Sequence, residues 1–358
     1  MNNQKDVQND VPLALLTTFE VGGAARFFWD AESETDVIDA LNFAEQNDLP
    51  IFVLGGGSNL LICDKGFHGL VLKINLKGVS VAKDKTDVYV TAAAGEDWDN
   101  FVKFCVEQNL SGVECLSGIP GTVGATPVQN VGAYGQEVSD TIVTVRVVDR
   151  ESLEIKNLIN SECRFAYRSS IFNTVARDQF IVLSVTFCLE PNGAPNLRYA
   201  DLQKYFADNS DAPSLQAVRQ AVLKIRAAKS MVISREDANR RSAGSFFKNA
   251  IVSEGEFAEI EKKARELNLI VDNERVPHFS TNNDKIKIPA AWLIEKSGFY
   301  KGFRVGNVGL STKHALAVVN CGDATAQEIF DFANHIKQQV YKVFGIYINP
   351  EPNFIGFE

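Results

Sequence analysis

Gly118-Ile-Pro-Gly-Thr-Val-Gly-Ala-Thr-Pro-Val-Gln-Asn-Val-Gly-Ala-Tyr-Gly135 is the stretch on which the reading of the fold turns. It holds five glycines, two prolines and no charged residue. Ordinary surface loops carry more charge. Glycine lets backbone approach a ligand closely, and consecutive N–H groups can cradle an anion. The composition suits backbone wrapped against a large, flat, partly anionic ligand. A second cluster lies upstream, Val53-Leu-Gly-Gly-Gly-Ser-Asn-Leu60, after an apolar run. It is not the G-x-G-x-x-G fingerprint, because Leu60 stands where the third glycine belongs, and no Gly-Lys-Ser/Thr follows as in a P-loop. Alone, the triplet could equally be a tight strand-to-strand turn. Two such loops in one strand-rich region argue for a flavin dinucleotide held by a fold of another kind, against the alternative of two structural loops.

Working outward, the chain has 358 residues, 36 basic and 45 acidic, for a net charge of −9. The 45% hydrophobic and 23% charged fractions are those of a globular protein. The acidic balance argues against a nucleic-acid partner, which usually shows as a basic stripe. No apolar run reaches the roughly 18 to 20 residues that would span a bilayer. Met1 to Asp10 is polar and lacks the apolar core of a signal peptide, so the expected location is cytoplasmic. Six cysteines (Cys63, Cys105, Cys115, Cys163, Cys188, Cys321) form no C-x-x-C, and the four histidines are scattered. Reduced, buried thiols are expected, and no metal site.

From Thr17 to about Glu190 strands dominate. Pro50–Leu54, Leu70–Ile74, Val88–Ala92, Ile142–Val148 and Phe180–Phe187 read as strands rich in β-branched residues. Helices are expected at Thr35–Asn47, Asp97–Gln108 and Ser214–Lys229 from their apolar spacing. Pro191–Pro195 looks like a linker, and the charged run Ser234–Arg241 like a crossing between domains. The last third is mixed. Ser253-Glu-Gly-Glu256 and Thr325-Ala-Gln-Glu328 are capping boxes, the second opening a helix that should stop at Gly345.

Five segments then carry a family resemblance. They are Leu54-Gly-Gly-Gly-Ser-Asn-Leu-Leu61; Gly118–Ala125 with Gln129–Gly135; Cys163-Arg-Phe-Ala-Tyr-Arg-Ser-Ser-Ile-Phe172; Ser242-Ala-Gly-Ser-Phe-Phe-Lys-Asn249; and Pro350-Glu351. In this order they resemble the UDP-N-acetylenolpyruvoylglucosamine reductase (MurB) family, from about Thr17 to Gly356. Leu197-Arg-Tyr-Ala-Asp201 resembles the tyrosine-bearing insert of its type I branch.

The resemblance implies an α+β fold. A two-part FAD-binding domain of the vanillyl-alcohol-oxidase (PCMH) type would be joined to a C-terminal α+β substrate-binding domain. The expected boundaries are a flexible N-terminus over 1–16, the FAD domain over 17–190 (parts 17–78 and 79–190), the tyrosine insert and connecting helix over 191–230, the UDP-sugar domain over 231–345, and a final segment, 346–358, returning a glutamate to the flavin site. The implied reaction is reduction of UDP-N-acetylglucosamine enolpyruvate to UDP-N-acetylmuramate, by ping-pong hydride transfer from NADPH through flavin N5, with no obligate protein partner.

By the same match Arg168, Ser245 and Glu351 are the catalytic residues, with Ser245 as proton donor. Arginine offers a planar fork that holds a carboxylate and keeps its charge. A glutamate raised by burial can donate a hydrogen bond. Gly55, Gly56, Gly57, Ser58, Asn59, Gly118, Gly121, Thr122, Gly124, Ala125, Gln129, Asn130, Gly132 and Ala133 are expected to hold non-covalent FAD. Tyr167, Tyr199, Lys229, Asn249 and His314 are expected to meet the substrate. Taken singly, each has a bland alternative: a surface salt bridge for Arg168, a helix N-cap for Ser245, a solvated tail position for Glu351, a C-terminal helix cation for Lys229. Two rival functions remain open at this level, another non-covalent FAD oxidoreductase of the same fold and a non-catalytic UDP-sugar-binding relative.

Overall fold

The computed structural model describes residues 7–271, 273–281 and 285–357. The chain divides into two compact units. One comprises the residues up to Val11, Ala24–Gly57 and Phe67–Val232; the other comprises Pro12–Gly23, Ser58–Gly66 and the chain from Ile233 onward.

The first unit is built on two sheets. In the smaller, strands run in the order Gln8–Pro12, Ala24–Ala31, Phe67–Ile74, Ile51–Leu54, with the last three mutually parallel. Parallel strands need a crossover, and helix Glu34–Gln46 supplies it. Ser33 and Asp36 form its capping box, and Val37, Ala40, Leu41 and Ala44 are its buried face. The larger sheet is antiparallel, ordered Ile155–Ile159, Ile142–Asp149, Phe180–Pro191, Asp87–Ala93, Val79–Asp84. Both sheets feed one apolar cluster, in which Trp98 and Phe101 of helix Trp98–Glu107 meet Phe187 at ring separations of 5.9 and 4.9 Å.

The second unit draws its core from all three of its segments. Phe19 and Leu61 are buried with Phe246, Phe247, Ile288, Leu293, Ile294 and Phe344. Helices Glu254–Glu266 and Ala326–Phe344 open on the two expected capping boxes, and Gly345 ends the second at φ 77°. Strand Asn353–Ile355 pairs in parallel with Leu60–Ile62.

The partition departs from the expected boundaries. The stretch 1–16 is not uniformly flexible: Gln8–Pro12 is a strand and Ala14–Leu16 a 3-10 turn, while residues 1–6 lie outside the described residues. The insert and connecting helix belong to the first unit, and Pro191 is still in a strand, paired with Leu110. Pro12–Gly23 and Ser58–Gly66 belong to the second unit, because Phe19, Val21 and Leu61 bury their apolar side chains in its core. The six cysteines are unpaired thiols, and burial pushes those of Cys105 and Cys115 up from their ordinary value.

Candidate active site

In the first unit the two glycine loops touch. Gly55–Gly57 follows strand Ile51–Leu54. A Cβ on Gly56 would stand 2.6 Å from the Gly121 Cα, and one on Gly55 3.0 Å from Thr122 Oγ1. Gly57, Gly118 and Gly121 have φ of 67°, 71° and 126°, a region that favours glycine. Gly124 donates to Ala94 O at 2.9 Å and has no room for a Cβ, which would sit 2.5 Å from that of Ala94. Ala125 closes the same short 3-10 turn by donating to Thr122 O at 3.0 Å.

A cation attends each loop. Lys73 Nζ donates to Gly55 O, and burial lowers its pKa. Arg226 lies by Gly118, where a Cβ would be 3.4 Å from its Nε. That Nε is buried with no hydrogen-bond partner among the described residues. Bare backbone, left-handed glycines and an unsatisfied buried guanidinium nitrogen fit an anionic dinucleotide.

Arg168 stands at the tip of a two-residue turn. Ala166 and Ser169 exchange backbone hydrogen bonds of 2.9 and 3.0 Å, and Arg168 has φ 52°. Its guanidinium donates to Gly132 O at 2.8 Å and lies 5.4 Å from the centre of the half-buried Tyr167 ring. Asn173 Nδ2 donates to Arg168 O at 3.1 Å. A left-handed arginine is disfavoured by about 1 kcal/mol or more, and such strain persists where surrounding bonds over-determine it.

Asn130 is one of those bonds, and its side chain is not disposed as a cofactor ligand. Its Nδ2 donates to Glu137 Oε2 at 2.8 Å and to Ala166 O at 3.2 Å, and its Oδ1 accepts from Ser139 N at 3.1 Å. Both amide hydrogens and the oxygen are spent inside the protein, so the side chain holds the Arg168 turn instead. Gln129 is half-buried beside it, and Gly132 and Ala133 form a short strand paired with Gln136 and Glu137.

Tyr199 is the N-cap residue of helix Ala200–Tyr205, is 42% exposed, and rests edge-on against Tyr134 at 5.3 Å. Lys229 caps helix Leu215–Ala228 and donates to Asp201 Oδ2 at 2.8 Å. Burial pulls the Lys229 ammonium down, but Asp201, with Tyr134 and Tyr199, outweighs it and holds the pKa above its ordinary value.

The second unit brings Ser245, His314 and Glu351 together around the backbone of Phe246. Phe246 N donates to Leu316 O at 2.8 Å, and Phe246 O accepts from Glu351 N at 2.8 Å. Ser245 therefore directly precedes the residue that ties the Glu351 segment to the turn bearing His314. Phe246 is fully buried and packs on Phe19, Phe247 and Phe354. Ser245 is not a helix N-cap; no helix follows it before Glu254. Asn59 Nδ2 donates to Glu351 O at 3.3 Å, and Ser58 O accepts from Thr18 Oγ1 at 3.4 Å. His314 Nδ1 accepts from Leu316 N at 3.1 Å, which places the ring proton on Nε2 in the neutral form. Asn249 Oδ1 accepts from Ala290 N at 3.0 Å, so its oxygen caps the first turn of helix Ala290–Lys296. Phe246 lies within the Ser242–Asn249 segment and Asn173 just beyond the Cys163–Phe172 segment, and neither anchoring role carried a sequence signal of its own.

Comparison with known proteins adds the decisive observation. Over 97% of its length the chain is 43% identical to the UDP-N-acetylenolpyruvoylglucosamine reductase of Thermobifida fusca (strain YX), covering 97% of that protein. The chain belongs to the UDP-N-acetylenolpyruvoylglucosamine reductase family. The reductase of Streptomyces coelicolor (strain ATCC BAA-471 / A3(2) / M145) is likewise 43% identical, over 97% of the chain and 90% of its own length. Residues 25–156 match the model of an FAD-binding domain, and residues 236–355 that of the C-terminal domain of the reductase family. The crystal structure of the reductase from Thermus caldophilus is similar in fold, with a TM-score of 0.65 at 23% identity, covering 98% of this chain and 99% of that one. The fold is α+β, with an FAD-binding domain followed by the C-terminal domain of the reductase family.

Proposed function

We infer that this chain carries the activity for which its family is named. It is an FAD-dependent, NADPH-driven reductase that converts UDP-N-acetylglucosamine enolpyruvate to UDP-N-acetylmuramate in peptidoglycan synthesis. The observation that carries this reading is the 43% identity to named reductases across 97% of the chain. Bound FAD supplies the hydride. The backbone of Gly55–Gly57, Gly118–Ala125 and Gly132–Ala133 would hold it, supported by Gln129.

The chain's own residues do the rest. As the vinyl ether is reduced, negative charge develops next to a carboxylate. Arg168 faces that carboxylate with a pre-set, permanently charged fork, and stabilisation of this kind is usually the largest catalytic contribution. In the second unit Glu351 and Ser245 take the family's other two catalytic roles, Ser245 as the proton donor, a step worth roughly 10²–10⁴-fold. Tyr167 stands beside Arg168, its ring 5.4 Å from the guanidinium. Tyr199 and Lys229 receive the substrate diphosphate, the latter kept cationic by Asp201. Asn249 contributes through its amide nitrogen and His314 through Nε2. The C-terminal domain, within 231–345, takes the UDP-sugar. Among the described residues no helix is long and apolar enough to cross a membrane. We place the protein in the cytoplasm, where nucleotide-linked sugars and NADPH are found.

The test is an anaerobic half-reaction sequence. NADPH should bleach the flavin, and the enolpyruvyl sugar should restore its absorbance. Bleaching without recovery would return the rival reading of another flavin oxidoreductase.

A further inference from the structure

One residue outside the expected site has all its polar groups engaged. Asn196 lies three positions before Tyr199, half-buried in the insert. Its backbone N–H donates to Glu114 Oε1 at 2.9 Å, and its carbonyl accepts the Cys115 thiol at 3.2 Å. Its side-chain Nδ2 donates to Gly135 O at 3.0 Å, and Oδ1 accepts from Arg198 N at 3.0 Å. Glu114 is fully buried. Its carboxyl also accepts from Gln136 Nε2 at 2.9 Å and Gly112 N at 2.8 Å, while Gln136 Oε1 accepts from Cys115 N at 2.8 Å. Three segments are thereby stapled together: residues 112–115, the Gly132–Gln136 end of the long glycine loop, and the base of the tyrosine insert.

The chemistry of the staple matters. A buried carboxyl with three donors is a fixed point, since removing any donor leaves it under-satisfied in a low-dielectric setting. Asn196 carries that fixity outward. Its Oδ1 sets the amide of Arg198, and one residue later Tyr199 leans on Tyr134, which belongs to the same glycine loop. Without this link, Tyr199 would sit on an exposed connection that must be ordered whenever substrate binds, at a cost in affinity.

We propose that Asn196 is a positioning residue for substrate binding, fastening the Tyr199 insert to the flavin-binding glycine loop through Gly135 and Glu114. The proposal rests on the reading of Tyr199 as a substrate-diphosphate contact. Tyr199 acts on a remote part of the substrate, equally in ground and transition states, so loosening it raises KM and leaves kcat in place.

The experiment compares Asn196→Ala, Tyr199→Ala and the double variant, each as the FAD-loaded protein. Asn196→Ala deletes two side-chain hydrogen bonds and keeps the backbone bond to Glu114. It should raise KM for the enolpyruvyl sugar roughly tenfold, with kcat and flavin bleaching by NADPH unchanged. Amide hydrogen exchange at Arg198 should quicken. The double variant should be no worse than Tyr199→Ala, because both changes remove one function. A rise for Tyr199→Ala with none for Asn196→Ala would overturn the proposal and leave Tyr199 as a substrate contact. Additive effects, loss of FAD, or equal slowing of both half-reactions would also overturn it, the last two making Asn196 a scaffold of the flavin loop. No effect from Tyr199→Ala would remove the underlying reading itself.

Discussion

Replacing Arg168 with glycine separates what the turn needs from what the reaction needs. The residue holds φ 52°, where an arginine is strained and glycine is at ease. Relief of that strain returns about 1 kcal/mol. Against it stand the lost hydrogen bond to Gly132 O, about 1 kcal/mol, and the lost contact with the Tyr167 ring, about 0.5–1 kcal/mol. Glycine's greater freedom in the unfolded chain takes about 0.5–1 kcal/mol more. The turn's frame survives the change, since the Ala166–Ser169 pair and the Asn173 bond to the residue 168 carbonyl involve backbone only at this position. The net is a loss of roughly 1–2 kcal/mol, a fall in melting temperature of roughly 2–8 °C. The sugar-reducing half-reaction should fall much further, by roughly 10²–10³, as when a pre-set donor to a developing anion is removed. Stopped-flow absorbance of each half-reaction, beside thermal unfolding of the FAD-loaded protein, reads both effects. Arg168→Lys is the companion variant: it keeps charge and strain but loses the fork, and should be stable yet slow in the same half-reaction. An oxidative half-reaction within tenfold of the parent would refute the catalytic assignment. A collapse in stability would refute the account of the turn.

Three further outcomes are expected. Ser245→Ala should bleach normally with NADPH and reduce the sugar roughly 10²–10⁴-fold more slowly; equal slowing of both halves would remove Ser245 as proton donor. Gly56→Ala puts a Cβ 2.6 Å from the Gly121 Cα, so the two loops must part; the expected loss is about 1–3 kcal/mol with weaker FAD retention on gel filtration, and undiminished retention would break the link between loop contact and cofactor binding. Asp149, 5% exposed, is held from its ordinary 3.8 down to about 2, first by the Ser152 amide and then by Lys156, Glu151 and Gln179 against the opposing effect of burial. A depressed carboxyl stabilises the fold above its unfolded pKa and loses that contribution as pH falls through the folded one. The gap in urea midpoint between the parent and Asp149→Asn should therefore be full above about pH 5 and close towards pH 2; a gap independent of pH would contradict it.

Much of the scaffold was legible because its signals are local. The helix over Glu34–Gln46, both capping boxes and the strand over Ile142–Asp149 follow from spacing and β-branched content within a few residues. The glycine loops were legible as backbone whose close approaches and positive φ angles require glycine. That they meet at Gly56 and Gly121 was not, because backbone contact across distant segments leaves no mark in a side-chain pattern. Asn130 and Asn249 show the limit most clearly. Each was expected to face a ligand. Asn130 spends its amide on Ala166, 36 positions away, and Asn249 commits its oxygen to Ala290, 41 positions away, so the substrate role proposed for Asn249 falls to its amide nitrogen. An amide is equally able to bind a ligand or to satisfy buried backbone, and only the fold decides which donors surround it. The assignment of Pro12–Gly23 and Ser58–Gly66 to the second unit was hidden for the same reason.

The pairing of Leu60–Ile62 with Asn353–Ile355 also sets a timetable for biosynthesis. Asn59 meets Glu351 across 292 positions of chain. At translation rates of 5–20 residues per second, the earlier strand waits roughly 15–60 s for its partner. Leu61 and Phe19, which end up buried, spend that interval without the C-terminal aromatics that cover them. The first unit has every one of its segments synthesised once Val232 is made, and can condense while the second still lacks its last strand. A nascent chain of this protein therefore carries Phe19 and Leu61 without their final apolar cover until its last residues are made.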